Sequence, residues 1–427
     1  MSRYQRMLDI TKSRIDAGVA MGVGRLRTED DRLEGAMMTI GGQEVVDFGS
    51  CSYLGLNRDP RLAAAATEAI ARYGTGHSSS TTYTALGLYS ELESRLESVF
   101  GASVAVAPTT TLAHLAALPV LILPGDVALV DHQAHASLQM AMDLLRGRGV
   151  LVDTLPHNDV AALDAAIWHH RHANRIWYIA DGVYSMYGDI APAEAIHPLL
   201  DKYPNLHLYY DDAHGVGWQG VHGRGEILNR VPWHDRMVIA GGLSKSFGAN
   251  GAVLAFGDAD LAKTVAYCGP TFLFSGPIPP ASLGAAIASA DFHLSDEHPI
   301  RQRELNERIA LAHSLLVEND LSLPSHDATP IWFVRVGAVT DIIRLVRGLL
   351  DDGYYVNPAG YPVVPRGQGG IRFTVTLNQT EGQLRGLIRA IRRRLPDQTE
   401  PDITVDLRST SHHPARKDNA LTAMANT

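Results

Sequence analysis

Between about Ser103 and Lys245 the chain alternates short apolar runs with amphipathic stretches, and this alternation limits the available folds more than any other feature. The runs "SVAVAP", "DVALVD", "GVLVDTL", "RIWYIAD", "LHLYYDDAH" and "RMVIAGGLSK" are nearly continuous in apolar residues, as strands buried on both faces are. Between them, "TLAHLAALPVLI", "HASLQMAMDLLRG", "VAALDAAIWHH" and "AEAIHPLLDKY" space their apolar residues as helices do. The spacing predicts an α/β fold: a mostly parallel central sheet with helices on both faces. Ligands of such sheets bind at the carboxyl ends of the strands, where this sequence places Asp131, Asp181, Asp211 and Lys245.

Outside this core the texture changes. Residues 1–47 read as an N-terminal arm with a helix, a polar link and a strand over Glu44 to Phe48. The sheet-forming domain is expected over 48–285. It begins with a proline-started helix, "PRLAAAATEAIARY", and a second helix, "YSELESRLESVFG", closed by glycine. Two long helices, roughly 281–292 and 300–319, lead into a smaller α+β domain over 286–396. There "PIWFVRVG", "DIIRLVRGLLDDG", "YYVNPAGYPVVP", "GIRFTVTL" and "TEGQLRGLIRAIRRRL" predict strand, helix, strand, strand and helix. Residues 397–427 are polar and aperiodic and read as a flexible tail.

Charge and composition exclude several classes. With 427 residues, 45% of them hydrophobic, a large core is available, and a formal net charge of −9 argues against nucleic acid as partner. Two cysteines, Cys51 and Cys268, are too few for a disulfide framework or a cysteine-rich zinc site, and no metal is expected. No stretch is apolar enough to span a membrane and no secretory leader is apparent, so a cytoplasmic enzyme is expected.

Five segments carry chemistry. In "GGLSKSFGANG", Lys245 follows a strand, and partial desolvation there would lower its pKa and let it form an imine with a carbonyl. Taken alone, a Ser-Lys pair reads first as a solvated loop lysine. In "LYYDDAHGVG", Asp211 ends an apolar strand, and a buried carboxylate needs a cation such as a protonated pyridine nitrogen. His214, three residues on, could reach a phenolic oxygen; a metal pair or a structural Asp–His cap is the alternative. In "VDHQAHAS", His135 opens a helix and can stack on a planar ring; His132 is the competing candidate. In "PTTTLAHL", Thr110 and Thr111 begin a helix whose free N–H groups suit a phosphate. In "GGIRFTVT", Arg372 offers a fork for a substrate carboxylate.

In that order — phosphate turn, histidine, Asp-x-x-His, lysine, late arginine — these elements resemble the fold-type I enzymes of pyridoxal 5'-phosphate (PLP). The segments "FGSCSYLGL", "GDVALVDHQAHAS", "DGVYSMYGDIAP", "DDAHGVGWQGVHGRG", "LSKSFGANGA", "FLFSGPIPP" and "IRFTVT" are similar to those of the α-oxoamine synthases, from roughly Phe48 to Leu395. The resemblance implies a decarboxylative condensation of a small amino acid with an acyl thioester, from coenzyme A or a carrier protein, giving an α-amino ketone. It implies that PLP is held on Lys245, that Asp211 pairs with the pyridine nitrogen, and that Ser185 and His214 hold the phenolic oxygen. It further implies His135 over the ring, Ser244 beside the lysine, Arg372 and Ser52 at the substrate, and a homodimer in which Ser275 reaches the partner's phosphate. Another fold-type I activity, such as an aminotransferase, is the alternative. The chain departs from the family's pattern at Ser52 for Asn, Thr110 for Gly, Gly242 for Thr or Ser, Tyr89 and Gln379 for His, and Asp212 for Glu. These departures point to a biosynthetic, specialised-metabolism member.

Overall fold

The computed structural model describes residues 3–395; the tail expected over 397–427 lies outside the described residues. The N-terminal arm is a helix, α1 (Arg3–Ala20), followed by a hairpin of β1 (Met37–Ile40) and β2 (Gln43–Asp47). Only one strand was expected here. The turn is Gly41-Gly42, both with positive φ (59° and 76°), the backbone a two-residue hairpin needs to match strand twist.

Helices α2 (Pro60–Tyr73) and α3 (Gly87–Phe100) precede the central sheet. The sheet is built from β3 (Ser103–Ala107), β4 (Val127–Asp131), β5 (Leu151–Leu155), β6 (Ile176–Asp181), β7 (Leu206–Asp211), β8 (Met237–Gly242) and β9 (Ala252–Phe256). Strand order is β3-β9-β8-β7-β6-β4-β5, and β9 alone runs against its neighbours. The helices that cross between strands are α4 (Thr110–Leu121), α5 (Ala136–Gly147), α6 (Val160–His169), the short α7 (Ala193–Ile196) and α8 (Leu199–Lys202), and α9 (Glu226–Arg230). Along β6, Ile176 and Tyr178 enter one hydrophobic core and Trp177 and Ile179 the other, so both sheet faces are covered. The single helix expected over "AEAIHPLLDKY" is instead α7 and α8, because Pro198 supplies no N–H to continue the first.

After β9 come α10 (Ala259–Cys268), α11 (Pro270–Phe274), α12 (Pro280–Leu294) and α13 (His298–Glu318). Helix α12 packs closely on α2 at Gly284, where a Cβ would fall 2.5 Å from the Ala65 carbonyl oxygen. The remaining elements are β10 (Ile331–Gly337), α14 (Val339–Asp351), β11 (Tyr354–Tyr355), β12 (Asn357–Ala359), β13 (Gly369–Thr374) and α15 (Glu381–Arg394). The run "YYVNPAGYPVVP" is not one strand. Its start, β11, joins the N-terminal hairpin, β12 joins the sheet β10-β13-β12, and residues from Gly360 onward leave the sheet as a loop. No helix among the described residues is long and apolar enough to cross a membrane.

Candidate active site

Asp181 and Asp211 end adjacent parallel strands and are paired in register, which brings two carboxylates to one edge of the sheet. Lys245 follows β8, next to β7, and α4 starts just beyond β3. These ends enclose a cavity of about 230 Å³ lined by Thr109, Thr110, Thr111, His135, Ser137, Asp181, Val183, Asp211, Ala213, His214, Ser244 and Lys245. Seven of the sequence-predicted site residues thus meet in one place: Lys245, Asp211, His214, His135, Thr110, Thr111 and Ser244.

The charges there are ordered by burial and by neighbours. Burial lifts the Asp181 carboxyl well above the carboxylate range, and the Asp211 charge lifts it further. Asp211 goes the other way: burial would raise it, but His114, then Lys245 and His135, hold it below its ordinary value. His114 Nε2 lies 2.8 Å from Asp211 Oδ2, and its Nδ1 lies 2.8 Å from the hydroxyl of Tyr209. Burial keeps Tyr209 a phenol. With that phenol donating to Nδ1, Nε2 carries the hydrogen and donates to Asp211. The Ala213 N–H donates to the other oxygen at 3.1 Å. Residue 114 was not among the candidates: within "TLAHLAAL" a histidine on an apolar helix reads as core, and only the fold carries it to Asp211.

Lys245 is depressed by burial, an effect the nearby Asp211 partly offsets, so its amine is more readily freed for attack than a surface lysine's. His214 is pushed well below its ordinary value by burial and by Lys245 and Arg372. Tyr53 OH lies 2.7 Å from His214 Nδ1 and burial keeps it protonated, so the phenol donates to Nδ1 and leaves Nε2–H for a ligand. His135 caps α5, its Nδ1 2.7 Å from Ser137 Oγ, while an Asp181 carboxyl oxygen accepts its backbone N–H at 3.0 Å. Burial lowers its pKa, so the ring is neutral.

In the same lining, Thr109 caps α4, its hydroxyl accepting from the Leu112 N–H at 3.2 Å, and the N–H groups of Thr110 and Thr111 have no acceptor within the helix. Gly242 gives this corner no side chain. A Cβ there would begin 3.5 Å from Thr110 Oγ1 and 3.2 Å from Ala213 Cβ.

Four predicted residues lie outside this lining. Arg372, buried on β13, donates through Nε to the Ser185 carbonyl oxygen at 2.6 Å and through Nη2 to Cys51 Sγ at 3.7 Å. It is close enough to help depress both His214 and Lys245. Ser185 lines a larger neighbouring cavity that also includes His135. Ser52 is buried and donates its hydroxyl to Asn57 Oδ1 at 2.7 Å, so its hydrogen is spent on its own turn. Ser275 follows α11, half-buried and away from both cavities.

A cofactor with a cationic ring nitrogen, a phosphate and an aldehyde fits these residues. The buried anion Asp211, the open helix start and the desolvated lysine each match one of those groups. The comparisons with known proteins agree. Residues 43–391 match the model for aminotransferase class I and II, and the chain belongs to that family. Its relatives within it are α-oxoamine synthases. The 8-amino-7-oxononanoate synthase of Geobacter sulfurreducens is 35% identical, over 84% of this chain and 91% of that protein. A serine palmitoyltransferase of Bacteriovorax stolpii is 30% identical over 80% of each. In fold, the chain is similar to serine palmitoyltransferase from S. paucimobilis, with TM-score 0.82 and 23% identity over 92% of this chain and 98% of that one.

Proposed function

We propose that this protein is a PLP-dependent α-oxoamine synthase, which joins a small amino acid to the acyl group of a thioester, releases CO₂ and thiol, and leaves an α-amino ketone. The observation that carries the reading is the shared cavity of Lys245 and Asp211, with the aspartate kept anionic by His114. When bound there, PLP supplies the electron sink that lets the amino acid's α-carbon become a nucleophile.

The chain's own residues would do the rest. Asp211 holds a proton on the ring nitrogen, and His135 covers the ring. His214 Nε2 and Ser185 donate to the phenolic oxygen. Thr110, Thr111, Ser244 and the first turn of α4 receive the phosphate. Lys245 tethers the cofactor and moves the α-proton. Arg372 holds the amino-acid carboxylate, with Ser52 behind it, and Ser275 serves the partner's phosphate in a homodimer. In this reading 48–285 binds the cofactor and 286–396 brings Arg372 to it. Two free cysteines suit a cytoplasmic location.

The test is direct. The purified protein should carry an absorbance band of bound PLP that is lost in Lys245→Ala. Amino acid and acyl thioester together should yield CO₂ and free thiol in equal amounts. Amino-group transfer to a 2-oxo acid, without thiol release, would overturn the proposal.

A further inference from the structure

The larger cavity beside the Lys245 site has two largely apolar walls. Its volume is about 650 Å³, and His135 belongs to the walls of both cavities. One wall comes from the loop after β6, through Met186 and Tyr187. The other comes from the loop after β12, through Tyr361, Val363 and Val364. Met186, Tyr187 and Val364 are backed by Phe333 and Ala359, so these walls rest on a packed apolar cluster. The polar lining residues besides the tyrosines are His132, Gln133, His135, Gln139 and Ser185, and His135 is shared with the Lys245 site. Among the described residues no lysine, arginine, aspartate or glutamate lines it. The cations that touch its walls are turned to other partners: Arg372 donates to the Ser185 carbonyl oxygen and to Cys51 Sγ, and Arg14 and Arg366 flank the Tyr361 ring at 5.5 and 4.8 Å and line a separate cavity.

We infer that this cavity receives the acyl group of the thioester, and that the acyl group is an uncharged apolar chain. The inference rests on the function proposed above and narrows its substrate. A carboxylate at the far end of the chain would be taken from water with no lysine or arginine in the lining to meet it, which is costly. Each methylene buried against these walls would instead strengthen binding roughly fourfold. The chain thus differs in substrate from relatives named 8-amino-7-oxononanoate synthase, whose named product is itself a carboxylate.

The test compares heptanoyl-CoA with pimeloyl-CoA, which share a seven-carbon chain and differ by the terminal carboxylate. The holoenzyme is saturated with its amino acid and thiol release is followed. Heptanoyl-CoA should be favoured by about 100-fold in kcat/KM, and KM should fall as the chain lengthens from butyryl to heptanoyl. In Val363→Arg, at a largely exposed wall position, the preference should shrink by about tenfold while the PLP band is unchanged. Equal or better use of pimeloyl-CoA, or no dependence on chain length, would overturn the cavity assignment while leaving the proposed function standing. Failure of every thioester to release thiol with CO₂ would overturn both.

Discussion

His114 keeps Asp211 charged, because a carboxylate buried without a side-chain donor would take up a proton, as its neighbour Asp181 does. Replacing His114 by Phe should let Asp211 protonate, weaken the hold on a protonated ring nitrogen and lower kcat by about 100-fold, with a smaller change in PLP affinity. Asp211→Asn should give the same kinetic loss, and the double variant should be no worse than either single one. Additive losses would separate the two residues and sink the pairing. At the corner proposed to receive the phosphate, the hydroxyl absent from Gly242 is matched by one on Thr110, 3.5 Å from where a side chain at 242 would start. Thr110→Gly should therefore weaken PLP binding by about tenfold and leave binding of phosphate-free pyridoxal unchanged, as measured by equilibrium dialysis. A serine added at 242 in that background should restore part of the loss. Lys245, Asp211 and His135 were legible because each sits at a strand or helix end, where a polar residue in an apolar pattern stands out. His114 was not, since its partner is ninety-seven residues away.

At the scale of elements, the turn between β5 and α6 pins two other loops. His157 in that turn lies 3.0 Å from Asp131 at the end of β4 and 2.6 Å from Asp189 in the loop after β6. Both ring nitrogens face carboxylates, so both carry hydrogens. Burial would lower the imidazole, but Asp131 and Asp189 raise it to about 9. Tyr184 and His132 pack edge-on against the same ring. The loop so held carries Ser185, whose carbonyl takes Arg372. A histidine raised from about 6.5 to about 9 stabilises the fold fully below about pH 6.5 and loses that contribution as pH climbs through 9, roughly 3 kcal/mol in all. Urea midpoints measured from pH 6 to 9 should fall for the wild type and stay nearer level for His157→Gln. Parallel curves for the two proteins would remove His157 from this role. Nothing in "LPHNDV" marks it, because the three strand ends it joins are neighbours only in the folded sheet.

For the whole molecule, two aromatic side chains stand out in solvent. Tyr83 and Phe274 are each 87% exposed, and their segments are tied together by Ser80 Oγ donating to the Leu273 carbonyl at 3.0 Å. Ser275, expected to serve a partner's phosphate, is the next residue. If this face forms the homodimer, Phe274→Asp should shift the protein toward monomer in light scattering and speed the loss of PLP on dialysis. A dimer of unchanged mass would place the interface elsewhere. What the sequence by itself determined was the layered α/β architecture and the order of the chemical elements along it. Both are written in local patterns: apolar runs against helical periods, and polar residues at their ends. Only the tertiary structure decided which carboxylate is charged, what Ser52 spends its hydroxyl on, and that a second cavity with two largely apolar walls shares His135 with the lysine's own. Those depend on dielectric, hydrogen-bond partners and walls contributed by segments far apart in the chain, and no local pattern records them.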